Sequence, residues 1–319
     1  MSAAPRRVRP ALVGALLAVA VGIPLSTSPA SAASAQEMNG NWAPFNRCPV
    51  DDPAMLAADG QADIAICVAS HSESGSIKLG NTLATTGAND LQFGVVRNTA
   101  TGESRIVPPA GGAIVGAPTQ IPGGLLGLMC PSGIPVVSDI CRQLTDNSLN
   151  RVVATVQSAG TPRNFDLVAG MQSGKPIVDI PVRIHLENPF LGSKCYIGTT
   201  SDPVLLRPQN LTQPALASRR FDANGTTNTG GRLNRVELTG NSQGDAAFAV
   251  PGVSGCGPLT LGELNWAVNL KTALPSAAGK NNLVLNNATT YTGGLASPGA
   301  AAPNAGRLLS ESWHAGVVQ

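Results

Sequence analysis

The sequence has few charges, few aromatic rings and few histidines. Charged residues make up 13% of the 319-residue chain, and aromatic residues only 3%. Sugars and single-stranded nucleic acids are usually held on platforms of stacked rings. Trp42, Trp266 and Tyr196 could each contribute one ring, which is no platform. The formal net charge is +2 and no basic run occurs, so the electrostatic footprint of a nucleic-acid binder is missing. Only three histidines occur (His71, His185 and His314), and no C-x-x-C motif accompanies them. That argues against a zinc site, and no metal or cofactor is expected. Beyond residue 32 no apolar stretch reaches the roughly 18 residues of a membrane-spanning helix.

What is abundant is equally informative. Hydrophobic residues make up 43% of the chain, alongside 36 Gly and 25 Pro. A chain this long and apolar can bury a core. Residues 1–32 read as an export signal. Arg6, Arg7 and Arg9 precede an uncharged apolar stretch, Pro10 to Leu25, and Ala30-Ser31-Ala32 supplies a small-x-small cleavage site. Removing the segment takes Lys+Arg from 21 to 18 (three Arg lost) against 19 Asp+Glu, a net of −1.

Cys48, Cys67, Cys130, Cys141, Cys195 and Cys256 all follow that segment. An even count in an exported chain reads as a disulfide framework. Pairing neighbours would join Cys48 to Cys67, Cys130 to Cys141 and Cys195 to Cys256, but six cysteines can pair in many ways and spacing does not choose.

Short runs with β character dominate residues 61 to 250. Ile64, Ile66 and Val68 alternate with Asp63, Ala65 and Cys67, and Ile180, Val182, Ile184 and Leu186 alternate with Pro181, Arg183 and His185. Further runs are Ser76–Leu83, Leu91–Arg97, Arg151–Gln157, Asn164–Gly170, Lys194–Thr199, Val204–Arg207, Leu233–Thr239 and Ala246–Val250. With Gly, Pro and Asn between them, these predict a mainly β fold, a disulfide-stapled β-sandwich or barrel-like domain or domains. One short helix is predicted near the C-terminal end. Thr260-Leu261-Gly262-Glu263 matches a capping box, Leu261, Leu264, Ala267 and Val268 share a helical face, and Leu274-Pro275 closes the pattern. A second short helix is predicted over Ser138–Leu144.

Ile106 to Ser138 carries no charge and contains seven Gly and six Pro. So many breakers exclude a continuous helix and predict an apolar loop. Leu125, Leu126, Leu128 and Met129 within it are the candidate ligand-binding residues, lining a pocket or meeting a lipid or partner surface; the plainer alternative is that they cap the core. The predicted organisation is a signal peptide (1–32), an N-terminal β region (33–105), the apolar loop (106–146), a C-terminal β domain (147–290) and a flexible tail (291–319).

Catalytic patterns are weak. Gly252-Val253-Ser254-Gly255-Cys256-Gly257 departs from G-x-S-x-G at the second glycine, and reads as a turn holding a disulfide. None of the three histidines has a telling local carboxylate, and Glu187, Glu237 and Glu263 show no paired spacing. Asp51, Asp52, Asp59 and Asp63 cluster without the spacing of a calcium loop, and Asp222-Ala223-Asn224-Gly225 reads as a hairpin turn. No catalytic residue is assigned.

The run Glu187-Asn188-Pro189-Phe190-Leu191-Gly192-Ser193-Lys194-Cys195-Tyr196-Ile197-Gly198 is distinctive, as is Leu274 to Asn281 with Gly255-Cys256-Gly257 before it. Together they resemble a group of secreted actinobacterial proteins that share an NPFLGxxCYIG motif and have no established function. The resemblance spans about residues 147 to 290. It implies an envelope or extracellular protein in which Cys195 pairs with Cys256, and it carries over no catalytic residue. The expected function is thus a secreted, non-catalytic binding or structural protein. Its expected partner is an apolar small molecule or an envelope component. The alternative is a secreted hydrolase whose Ser, His and Asp meet only in three dimensions.

Overall fold

Strand alternation sets the architecture of the computed structural model, which describes residues 36–129 and 147–318. The expected signal segment, Cys130, Cys141 and the helix expected over Ser138–Leu144 lie outside these residues. Sixteen strands occur among the described residues. The first are β1 (Asp63–Ser72), β2 (Ser74–Leu79), β3 (Thr82–Thr86), β4 (Asn89–Asn98) and β5 (Ser104–Val107). Then come β6 (Ile114–Gly116), β7 (Thr119–Gln120), β8 (Val153–Ser158), β9 (Ile180–Glu187), β10 (Tyr196–Ile197) and β11 (Val204–Leu206). The last are β12 (Gln209–Asn210), β13 (Ala215–Phe221), β14 (Leu233–Asp245), β15 (Val253–Ser254) and β16 (Asn282–Leu295).

They form one large antiparallel sheet in the order β12-β14-β16-β1-β4-β6-β8-β9-β10-β15, which does not close into a barrel. In β1 the period of two separates two cores. Ala65, Cys67 and Ala69 face an outer layer, whereas Val68 faces the larger inner core. On β9, Ile180, Val182, Ile184 and Leu186 all join the inner core.

The outer layer is built from the two ends of the described chain. A 3-10 turn, Gly40–Phe45, brings Trp42 and Phe45 onto the sheet, and the helix Ala305–Ala315 brings Leu309 and Trp313. Trp42 meets Phe221 edge-on, with ring centroids 5.1 Å apart. The Trp313 indole N–H donates to the Phe45 carbonyl at 2.8 Å, which locks the helix to the 3-10 turn. Gly293 on β16 admits this layer, since a Cβ there would lie 2.7 Å from the Phe45 ring. The disulfide Cys48–Cys67 staples the same segment to β1, and Cys195–Cys256 joins β10 to the residues after β15.

Several expectations are corrected. Residues 33–105 and 147–290 do not build separate regions: β16 pairs with β1, and β6 lies between β4 and β8. The predicted flexible tail is ordered, because 291–295 complete β16 and the helix Ala305–Ala315 buries Leu309 and Trp313. Residues 106–129 are not a plain loop. They contain the end of β5, then β6, β7 and a short helix, Gly124–Met129. Ser76–Leu83 is split by a turn at Gly80 (φ +57°) into β2 and β3. Asn164–Gly170 ends in a helical turn, Leu167–Gly170, because the Asp166 carboxylate caps the amides of Val168 and Ala169. Ala246–Val250 makes only an isolated bridge, at Val250.

The predicted capping box also fails. The Glu263 carboxylate accepts the amides of Leu259 and Leu261, and Gly262 takes φ +88°, so a turn forms where the first helical turn was expected. The helix begins at Asn265 and runs to Thr272. Leu261 is 82% exposed, while Ala267 and Val268 are buried as predicted.

Candidate functional site

Two adjoining clefts open inside the curved sheet. One is walled by Leu79, Ile121, Leu128, Ile184, Leu186 and Val268. The other is walled by Leu91, Ile114, Ile180, Val182, Leu206 and Leu283. Ile77, Thr86, Asn89, Val156 and Ile184 border both, so the two share a common wall. Counted out to their mouths they hold about 670 and 720 Å³ of unfilled space.

The sheet pattern explains the apolar lining. Every inward position of β9 is aliphatic, and a register shift in the pairing of β14 with β16 turns Leu283 and Leu285 inward while Tyr291 faces the outer layer. Polar groups collect where β1, β3 and β4 meet. Ser72 lies opposite Asn89 in the β1–β4 register, and Thr86 ends β3 just before it. Ser70 bonds Thr290 (3.0 Å) and Asn89 donates to the Gly87 carbonyl (2.9 Å). The Ser72 and Thr86 hydroxyls are buried without any hydrogen-bond partner among the described residues. Among the described wall residues Asp90 is the one ionisable residue, and its side chain turns to the outer face, where Arg47 pairs with it at 2.9 Å. Thr85, at the edge of the first cleft, is exposed.

Of the candidate ligand-binding residues, Leu128 reaches the first cleft. Leu125 is fully buried in the inner core and Leu126 packs against it, so these two behave as core caps. The side chain of Met129 lies outside the described part. Sequence reasoning missed Ser72, Thr86 and the whole β9 wall as site residues. The clean alternation of β9 was the available signal, but alternation marks a buried face and not an unfilled one.

The motif Asn188 to Gly198 serves architecture. Asn188 donates to the carbonyls of Leu149 and Arg151 (both 2.8 Å) and accepts from the Phe190 amide. Gly192 takes φ +71° and passes directly against the Gly257 carbonyl, where a side chain would collide. Ser254 sits in β15 opposite Tyr196, beside the disulfide of Cys256.

Outside the clefts, one Ser, His and Asp do meet. Asp51 accepts from Ser310 (2.6 Å) and lies 2.9 Å from His314 Nε2. The arrangement differs from a nucleophilic triad, because the serine hydroxyl donates to the carboxylate and not to the imidazole. It fastens the C-terminal helix. Partial burial raises the Asp51 pKa, but the bonds from Ser310 and His314 and the His314 charge outweigh it, so the carboxyl titrates below its ordinary value of 3.8. A depressed carboxyl stabilises the fold above the unfolded value, and that contribution is lost as pH falls through the folded one. Asp51→Asn should therefore lower the thermal midpoint at pH 6, and the difference should shrink as the pH falls below 3.8 through the depressed folded value. The exposed pair contributes below about 1 kcal/mol. A constant difference across pH would rule out the linkage.

The other polar candidates are locally engaged. His185 contacts Glu187 (3.2 Å) and stacks on Tyr196, with Arg183 over the same ring. Glu237 pairs with Arg235. Asp52 caps the helical turn Pro53–Leu56, Asp59 accepts three backbone amides, and Asp222 accepts from Asn228. Among the described residues no helix is long and apolar enough to cross a membrane.

No family model matches the chain, and no curated protein or solved structure matches it either.

Proposed function

We propose that this chain is an exported, non-catalytic protein that holds an apolar chain-like ligand between the walls of its curved, sandwich-like sheet. The observation that carries this reading is the pair of adjoining aliphatic slots with Ile184 and Val156 in the common wall. Burying alkyl surface against such walls is favourable at about 25 cal/mol per Å². An alkyl chain is wider than a water molecule, so entry parts the walls slightly. Export agrees with the basic and apolar segments of residues 1–32 and with two disulfides, which persist in oxidising compartments. Membership of the secreted NPFLGxxCYIG group belongs to the same reading.

The test is a titration with an apolar fluorophore such as N-phenyl-1-naphthylamine. The parent protein is expected to bind it and brighten it. Val156→Phe fills the common wall from a half-buried position and should weaken binding at least about tenfold. Circular dichroism should show that variant still folded. A parent that leaves the fluorophore dark, or a Val156→Phe variant that binds it equally well, would remove the slots as the site.

A further inference from the structure

The clefts are lined mostly by aliphatic residues, yet two of the residues that border them carry an enclosed hydroxyl that bonds nothing among the described residues. Ser72 is 3% exposed, and neither its Oγ nor the Oγ1 of Thr86 has a hydrogen-bond partner among them. Ser72 borders the second cleft and Thr86 borders both, so the unsatisfied groups sit beside the common wall. Buried polar groups are nearly always paired, because an unpaired one forfeits its hydration. Of the other hydroxyls on the walls, Ser70 bonds Thr290, Thr119 accepts the Gly87 amide and Thr272 donates to the Val268 carbonyl, while Thr85 is exposed to water.

The charges around the same place are equally specific. Among the described residues no Lys, Arg or His lines either cleft. Asp90, the one described carboxylate residue there, turns its side chain to the outer face, where it accepts from the Arg47 guanidinium and from the Gln92 amide (3.0 Å). A carboxylate or phosphate placed beside Ser72 would lose its water and gain no cation from the described wall residues. A quaternary ammonium would find no carboxylate there, because Asp90 pairs with His71 in the β1–β4 register and its side chain lies on the opposite face from Ser72. An ester, alcohol or amide group carries neither cost, and a hydroxyl can donate to it or accept from it.

We infer that the ligand is an uncharged amphiphile, an alkyl ester or alcohol whose polar group bonds Ser72 and Thr86 while its chain lies in the aliphatic slots. This rests on the carrier reading above and narrows it from any apolar chain to a neutral one. Recognition then has two parts. The aliphatic walls supply most of the affinity, and the two hydroxyls choose the head group and fix where along the slot it stops.

The experiment compares three compounds on the full, oxidised protein: 1-monopalmitoylglycerol, palmitate at pH 8 and N-phenyl-1-naphthylamine. Displacement of the fluorophore reads the binding of the first two. Monopalmitoylglycerol should bind at least about tenfold more tightly than palmitate. The double variant Ser72→Ala, Thr86→Val keeps the shape of the wall and removes both hydroxyls. It should lose about tenfold toward monopalmitoylglycerol and keep parental affinity for the fluorophore. Palmitate binding as tightly as the glyceride, or a double variant unchanged toward the glyceride, overturns the neutral head-group assignment and leaves the carrier reading standing. Failure of all three compounds to bind overturns the carrier reading itself.

Discussion

Replacing Trp42 with alanine should lower the unfolding free energy by about 3–5 kcal/mol, the usual cost of deleting a fully buried large ring. Trp42 has no exposed surface and meets Phe45 and Phe221 edge-on. Its indole N–H also donates to the Ala223 carbonyl at 2.9 Å, an acceptor that the variant leaves unpaired. The ring fills the space between the N-terminal segment, β13 and the end of the C-terminal helix. Gly316 approaches it so closely that any side chain there would strike the indole. For a domain of this size the loss corresponds to a fall of about 10 °C in thermal midpoint. Trp266→Ala is the control. Trp266 is 44% exposed on the helix Asn265–Thr272, and its truncation should cost less than about 1 kcal/mol. Equal effects of the two substitutions in denaturant unfolding would contradict the two-layer packing.

The second large effect concerns the disulfides, and it separates two staples by the length of chain they close. Cys48 and Cys67 are 19 residues apart, whereas Cys195 and Cys256 are 61 apart. On the chain-entropy account, opening the shorter loop costs about 3 kcal/mol and the longer about 4 kcal/mol. Cys195→Ala with Cys256→Ala should therefore be the more damaging pair. The local consequences differ more sharply than the totals. Without Cys48–Cys67 the 3-10 turn Gly40–Phe45 loses its covalent hold on β1, so hydrogen exchange should rise first in the outer layer. Without Cys195–Cys256 the change should appear at β10, β15 and the helix Asn265–Thr272, whose Asn265 accepts the Cys256 amide. The reverse order of stability loss, or exchange rising in the wrong layer, would refute this account.

Some of the architecture was legible one strand at a time. Ile64 to Val68 and Ile180 to Leu186 alternate cleanly, and each is a strand; the apolar positions of the second are buried, whereas in the first Ile64 and Ile66 stay half-buried and the intervening Ala65 and Cys67 are buried by the outer layer. The pairing Cys195–Cys256 was implied only by resemblance, and neighbour pairing was one possibility among many. The longest strand, β16 (Asn282–Leu295), was not legible. Asn286 and Asn287 interrupt its pattern, and Asn287 takes φ +48°, a conformation that reads locally as a turn. Only pairing with β1, β2 and β14 holds that segment extended. The residues after it look like a solvated tail because Gly, Ala, Pro and Ser dominate them. They are ordered because Leu309 and Trp313 find Phe45 and Met55 in a layer built from the opposite end of the chain.

The site divides in the same way. Leu128 was singled out from composition and does reach a cleft, but Leu125 and Leu126 beside it are core. Ser72 and Thr86 carry no sequence signal at all, since a serine ending a strand and a threonine before a turn are ordinary. By itself the sequence determined local periods, the positions of breakers, the supply of cysteines and the poverty of charge, because these depend on neighbours along the chain. The tertiary structure alone decided which strands share a sheet, that both ends of the described chain cover one face, and that two hydroxyls beside the apolar clefts are enclosed without a partner among the described residues. Those outcomes depend on contacts between residues hundreds of positions apart, such as Trp313 with Phe45, and no local pattern encodes them.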